Sequence, residues 1–464
     1  MEQAVRRRTR WGAALTGLFL VVGAACGGGG GGDRADRAGC DPAAIERART
    51  PVRITMWHVM NASHETALEE MVRAFHARQD TVRVRLVRIA SYDDVLTKFK
   101  AGLTSGDLPD VLQAESGHLQ VLVDSQATVP VGECVRAEGT DLGDFLRPAL
   151  ALWTTSGVLR AVPWNTSSTI LYFDAGAFKQ AGLDPARPPR TLAEVRAASE
   201  QIVRSGARPH GIALRSAGYL MSALYSRNGF TLVNRGNGRA GRATAATIAS
   251  ARALALWEWW HDMARDGLLL DVGPKEGIDH FLAVGNKQAA MTIDGSPSLG
   301  PILAVLGTGQ FPGVEPGAGP TPGLRVAGGP ALGDGGLFLS ARSSPARRAG
   351  AWRFIRFLTE PTQIARLGVE GFIPVRRSAT EVPALRQRWA EQPYFRVAYD
   401  QLLATPPTPA TAGAVIPDGT AFLDAITDAL VAMLSRDVPP RQAMEQAQRA
   451  ATATIREYNA RLGR

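Results

Sequence analysis

From residue 51 the chain alternates short runs of strand character with amphipathic helical segments, and no other feature restricts its fold as much. Val52-Arg53-Ile54-Thr55-Met56-Trp57 switches between apolar and polar residues with period two, as a half-buried strand does. In the next segment Leu68, Met71, Val72 and Phe75 recur at i, i+3, i+4 and i+7, which gathers them on one helical face, and Ser63 stands where it can cap that helix. Residues 81–89 alternate again, 92–103 read as a helix, and 110–113 read as a short strand after the turn Ser105-Gly106-Asp107-Leu108-Pro109. Strand, helix, strand, helix, strand implies a parallel α/β lobe, because parallel neighbours need a crossover to carry the chain back to its starting edge.

At 464 residues the chain is long enough for two or three domains. A second lobe is expected to open after Val162-Pro163-Trp164, with Ile170-Leu171-Tyr172-Phe173 as a strand. Thr191 and Glu194 have capping-box spacing ahead of a helix that runs to Gly206. Helices are expected over 243–265 and 344–358, the latter with Pro345 at its favoured first position, and two more in the last 45 residues. Residues 307–333, rich in Gly and Pro, read as loop with one strand near Arg325. No repeat of fixed period is visible.

The N-terminus places basic Arg6, Arg7, Arg8 and Arg10 before an apolar run from Trp11 to Val22, then Gly23-Ala24-Ala25-Cys26. That is the layout of a secretory signal, and a run of about a dozen apolar residues is too short to span a bilayer. It resembles a bacterial lipoprotein leader, differing at Gly23, where Leu is usual. The resemblance makes residues 1–25 a signal peptide and Cys26 the lipidated first residue of a chain held to the cell membrane. The glycine tract from Gly27 to Gly32 then reads as part of a flexible tether over residues 26–50. Export permits Cys40 and Cys134 to pair, and the sequence leaves that pairing open.

Charge and motifs exclude several classes. The formal charge is +9, but the first 25 residues carry +3 of it, and the +6 left is modest for so long a body. No arginine block interleaved with aromatics follows residue 10, so nucleic acid is not an expected partner. With 45% hydrophobic and 20% charged residues the body is that of a globular protein. Gly236-Asn237-Gly238-Arg239-Ala240-Gly241 matches GxGxxG, yet the acid about 20 residues on, Glu258, sits in a Trp-rich helical stretch and not at a strand end, so a turn is the expected reading. No GxSxG, HExxH or phosphate loop is present, no Cys and His cluster has metal-ligand spacing, and neither a metal nor a cofactor is expected. Asp110, Glu115, Asp294 and Asp334 could supply a glycosidase pair, but their spacing does not single one out. An exported carbohydrate-active hydrolase is the alternative reading.

Aromatic and small polar residues do recur at expected strand ends: Trp57-His58, Ser91-Tyr92, Glu115-Ser116, Trp164-Asn165 with Ser167-Ser168, Ser296-Pro297-Ser298, and Gly371-Phe372. Ligands of open α/β sheets bind beyond the carboxyl ends of strands, so these residues, with Tyr219, are candidates for a ligand cleft.

In order and spacing these segments, with Gly106-Asp107-Leu108-Pro109-Asp110-Val111, Leu171-Tyr172-Phe173-Asp174, Ala290-Met291-Thr292, Gly333-Asp334-Gly335-Gly336-Leu337-Phe338 and Gly371-Phe372-Ile373-Pro374-Val375, resemble the solute-binding proteins of ABC importers. The likeness is to the maltose-binding superfamily and its glycerol-3-phosphate-binding branch. It implies a two-lobed α/β periplasmic-binding-protein fold of type II, with an N-terminal lobe over 51–163 and 337–372 and a C-terminal lobe over 164–336 and 373–464. It also implies a monomer that closes on a small polar ligand, a sugar, glycerol 3-phosphate or glycerophosphodiester, and hands it to permease subunits without catalysis. Carried over residue by residue, Tyr92, Ser167 or Ser168, Ser296 or Ser298 and the backbone around Gly335 match ligand contacts, and Glu115 or Ser116 takes the acidic position. Phe372 replaces a family tyrosine, and no arginine stands near 413–415, where the branch has a phosphate partner. Loss of that charge-assisted pairing should cost a phosphate monoester about 1.5–3 kcal/mol.

Overall fold

A computed structural model describes residues 39–463, apart from 50 and 327; the leader, Cys26 and the Gly27–Gly32 tract lie outside them. The first sheet begins with β1 (Val52–His58), β2 (Val82–Arg88), β3 (Val111–Glu115) and the short β4 (Thr128–Val129). A small hairpin, β5 (Thr154–Thr155) with β6 (Val158–Leu159), precedes β7 (Val162–Ser167). The second sheet is built from β8 (Thr169–Asp174), β9 (His210–Leu214), β10 (Leu269–Asp271), β11 (Ala289–Gly295) and β12 (Pro316–Pro320), after which β13 (Gly333–Ser340) returns to the first.

In the first sheet the order is β2-β1-β3-β13-β4, with β7 on β13. β1 lies parallel to both β2 and β3, as the crossover helices Ala62–Arg78 and Tyr92–Ser105 require. β13 enters antiparallel between β3 and the short β4, setting Gly335 opposite Glu115. It also pairs antiparallel with β7, with a register shift between Gly335 and Gly336. The second sheet runs β10-β9-β11-β8-β12. The chain therefore passes between sheets twice, at Ser168 and between Pro320 and Gly333.

Each sheet carries its own core. Met56, Trp153, Leu337, Phe338 and Phe354 are buried in the first, and Tyr225, Trp257, Trp260 and Phe422 in the second. Buried polar atoms there are paired where the chain can manage it: Trp257 Nε1 donates to the Tyr225 hydroxyl at 2.9 Å, which donates to the Ile248 carbonyl at 2.9 Å. Phe372, Val375, Leu385, Phe395 and Leu402 pack in the first core, while helices Gly419–Arg436 and Pro440–Arg461 bury Phe422, Ile426, Met444 and Ile455 in the second.

The capping box of Thr191 and Glu194 is complete, and Ser344 caps the helix Pro345–Leu358 with Pro345 in its first turn. Three expectations differ. Ser63 lies inside its helix, whose N-cap is Asn61, and its hydroxyl instead donates to Glu370 at 2.7 Å. The helix expected over 243–265 spans only Leu254–Arg265, because Val233 bridges Ala246 and Thr247 N–H donates to the Leu232 carbonyl, which holds the first residues in an extended return. The Gly and Pro stretch forms its strand at Pro316–Pro320; as β12 it is the sheet's edge, where a missing proline N–H leaves no ladder bond broken.

Cys40 and Cys134 are joined, closing a separation of 94 residues and tying the entry segment to the helix Val131–Glu138. A cross-link over so long a loop restricts the unfolded chain, so replacing both cysteines with alanine should cost about 2–5 kcal/mol. Denaturant titration of the double variant beside the oxidised and reduced wild type reads the loss; the reduced protein should match the variant.

Candidate ligand cleft

The first half of the site grows out of the antiparallel entry of β13. Its glycine at 335 leaves room above the sheet, and the Tyr92 hydroxyl fills that room from the first turn of its helix. Gln113 on β3 donates to this hydroxyl through Nε2 at 3.1 Å, and Asn165 on β7 donates through Nδ2 at 2.9 Å. A Cβ on Gly335 would stand 2.2 Å from Asn165 Oδ1 and 2.9 Å from the Tyr92 oxygen, so only glycine permits the three to meet. Glu115 ends β3 opposite Gly335; burial raises its carboxyl above the usual range, and the neighbouring charges of Asp93 and Glu276 push the same way against the pull of His118.

The second half lies at the end of β11. Asp294 accepts from the Tyr219 hydroxyl, from His280 Nε2 at 2.7 Å and from the Gly295 N–H at 2.7 Å, with the Arg215 guanidinium 4.0 Å away. Burial alone would raise its carboxyl, but these bonds and charges hold it below the ordinary value. Tyr172 donates to the Gly295 carbonyl at 2.6 Å. Ser296 follows, its hydroxyl buried and without a hydrogen-bond partner, while its N–H donates to the Ser168 carbonyl at 2.9 Å. Gly371, at φ +105°, lets the loop before Phe372 close against Ser296 and Pro297, where a Cβ would come within 2.5 Å of the Ser296 carbonyl oxygen.

Of the residues picked from sequence, Tyr92, Asn165 and Gly335 come together with Glu115 adjacent, and Tyr219, Ser296 and Ser298 gather around β11. Ser167 lies between the two sets, near Gly295 and Gly333. Ser168 accepts from Gln401 Nε2 at 3.1 Å, and Ser116 opens the short turn Ser116–His118 after β3. Others turn inward. Trp164 is buried in the first core with Nε1 unpaired; Trp57 is buried there beneath Lys98, whose Nζ lies 4.6 Å from the ring centre; Phe372 packs 4.8 Å from the His64 ring. His58, 1% exposed, has its pKa lowered to about 4, chiefly by burial and then by Arg88, with Glu69 opposing. Gln113, His280 and Arg215 are missing from the residues picked from sequence, since their places beside Tyr92 and Asp294 are set by tertiary contacts and not by a local pattern. Asp294, two residues beyond the Ala290-Met291-Thr292 run, is named there only as a member of a glycosidase pair.

The His58 shift has a stability consequence. A folded pKa of about 4 against an unfolded 6.5 means the fold holds the neutral ring, so its contribution is full above pH 6.5 and is lost as pH falls towards 4. About 2.5 pK units correspond to roughly 3 kcal/mol. His58→Asn should flatten the fall of Tm over that window; an equal slope in wild type and variant would assign acid sensitivity elsewhere.

No arginine comes to the 413–415 segment in sequence, but one does in space. Arg239, inside the GxGxxG match, donates from Nε to the Gly413 carbonyl at 2.7 Å, from Nη1 to Ala151 at 2.7 Å and Thr154 at 3.1 Å, and from Nη2 to Leu152 at 3.1 Å and to Ala412. These carbonyls occupy all five guanidinium N–H groups. Gly238 beside it, at φ +77°, meets the Val415 carbonyl where a Cβ would sit at 2.0 Å. The glycine motif is thus a packing turn.

The family model for bacterial extracellular solute-binding proteins matches residues 70–394. The sn-glycerol-3-phosphate-binding periplasmic protein UgpB of Rhizobium meliloti is 25% identical over 418 residues, covering 88% of this chain and 95% of that protein. Among solved structures, UgpB from Mycobacterium tuberculosis in complex with glycerophosphocholine superposes with a TM-score of 0.74 at 23% identity, over 88% of this chain and 99% of the other. The sugar-binding protein MalE from Xanthomonas citri gives 0.72 at 17% identity, over 89% and 100%. These likenesses carry the two-lobed α/β fold of periplasmic binding proteins, and the family match over most of its length settles that this chain belongs to the bacterial extracellular solute-binding proteins.

Proposed function

We propose that the cargo this chain delivers, as the extracytoplasmic substrate-binding component of an ABC importer, is a glycerophosphodiester or an oligosaccharide and not a free phosphate monoester. The carrying observation is Arg239: the arginine nearest the 413–415 segment spends every donor on carbonyls and has none for a phosphate. The carboxylates of Glu115, Asp93 and Glu276 lie close enough to influence one another and would repel a dianion further. Hydroxyl, amide and tyrosine groups at Tyr92, Asn165, Tyr219 and Ser296 suit a neutral or zwitterionic polyol instead.

Binding is proposed to involve closure of the lobe built on the first sheet against the lobe built on the second, so that ligand favours the form a permease recognises. No bond is made or broken. Lipid anchoring through Cys26, action as a monomer, and delivery to permease subunits complete the reading.

A thermal-shift panel with glycerol 3-phosphate, glycerophosphocholine, maltose and trehalose at millimolar concentration tests it. A solute present at 100 times its Kd stabilises the fold by about 2.7 kcal/mol, which is worth several degrees. The expected result is a shift with the diester or a disaccharide and none with glycerol 3-phosphate. A larger shift with glycerol 3-phosphate would overturn the cargo assignment, and hydrolysis of any sugar on the panel would overturn the binding role.

A further inference from the structure

Beside the first half of the cleft, Asp93, Glu115 and His118 bring one donor atom each to within 4.8 Å of one another. They come from two elements: Asp93 from the first turn of the helix Tyr92–Ser105, and Glu115 and His118 from the end of β3 and the turn after it. His118 Nε2 lies 3.2 Å from Glu115 Oε1 and 3.6 Å from Asp93 Oδ1. The imidazole is 1% exposed, and neither ring nitrogen completes a hydrogen bond. A buried imidazole whose Nδ1 faces no partner, and whose Nε2 is aimed between two carboxylates without good hydrogen-bond geometry to either, is set to share an occupant with them. At metal–ligand bonds of about 2.0–2.2 Å, tetrahedral donors stand about 3.3–3.6 Å apart; the two separations from His118 match this, and the two carboxylates, within 4.8 Å of each other, would draw together on an ion.

We infer that Asp93, Glu115 and His118 form a binding site for one divalent transition cation, of the zinc class, at the edge of the cleft. One imidazole with two carboxylates is a donor set for such an ion, and three protein ligands leave at least one coordination position open. The cation offsets the mutual repulsion of the carboxylates, to which Glu276 adds. It also reaches the second lobe: the Thr420 hydroxyl, at the start of the helix Gly419–Arg436, donates to Asp93 Oδ1 at 2.8 Å, so an ion that fixes Asp93 fixes one interlobe contact. If the cleft takes a polyol or phosphodiester as proposed above, the open position receives one of its oxygens; that clause alone rests on the solute reading.

The test is titration of the purified, untagged chain, stripped with chelator, with zinc chloride alone in a calorimeter, followed by the same titration of Asp93→Asn and His118→Ala. The expected result is one saturable site of micromolar or tighter Kd that weakens at least tenfold in either variant. Absence of saturable binding, or an unchanged Kd in the variants, would overturn the site. Because His118 is buried, its variant is checked for fold by circular dichroism, and Asp93→Asn, on an exposed side chain, decides the matter if His118→Ala does not fold. Repeating the solute panel with and without zinc separates the two readings: zinc bound with no solute response anywhere leaves the metal site standing and the cargo assignment fallen.

Discussion

Replacing Gly335 with alanine is expected to lower solute affinity by tenfold to more than a hundredfold. The added Cβ falls 2.2 Å from Asn165 Oδ1, 2.9 Å from the Tyr92 hydroxyl and 3.0 Å from Gln113 Cγ. These side chains must swing away, and the two bonds that aim the tyrosine hydroxyl are lost with them. Each buried polar group left unpaired costs about 1–3 kcal/mol, which sets the range. Overpacking adds a loss of fold stability of about 1–3 kcal/mol. Calorimetric titration of wild type and Gly335→Ala with whichever panel solute shifts Tm reads the first effect, and urea unfolding the second. Wild-type affinity in a variant that has lost stability would remove the Tyr92 cluster from the ligand surface.

Arg239→Ala is expected to destabilise the fold by several kcal/mol, at about 1–3 kcal/mol for each carbonyl left buried and unpaired. The guanidinium is deeply enclosed, its pKa lowered by burial to about 10, so it remains a cation at neutral pH. Its carbonyl partners include the last turn of the helix Arg147–Leu152, where free carbonyls and the helix dipole favour a positive charge. Alanine leaves five carbonyls to find water in a site with little room for it. Arg239→Lys keeps the charge but has three donors without the planar fork, so it should recover only part of the loss. Chemical denaturation of the three proteins checks the order arginine, lysine, alanine. Equal stability of lysine and arginine would mean that charge alone matters there.

Much of the architecture was legible because it rests on local chemistry. The apolar stripe of Leu68, Met71, Val72 and Phe75, the capping box of Thr191 and Glu194 and the Pro345 start are patterns within one or two turns, and the structure keeps them. Tyr92, Asn165 and Ser296 could be picked out at expected strand ends, and Gly335 through the family resemblance. Their grouping could not, since Tyr92 and Asn165 are 73 residues apart and meet only because β13 returns between β3 and the strand that carries Asn165.

The same limit explains the misplacements. Residues 243–253 are composed like helix but are held by bridges to 232–234, and a proline-rich run becomes a strand because it lies on an edge. By itself the sequence determined the α/β class, the presence of two lobes and the residue types available to a cleft, since periodicity and caps act between near neighbours. Only the tertiary structure decided that Arg239 is spent on carbonyls, that Gly335 must have no side chain, and that Asp93, Glu115 and His118 share one space. Those facts depend on distances between atoms far apart in the chain, which no local pattern encodes.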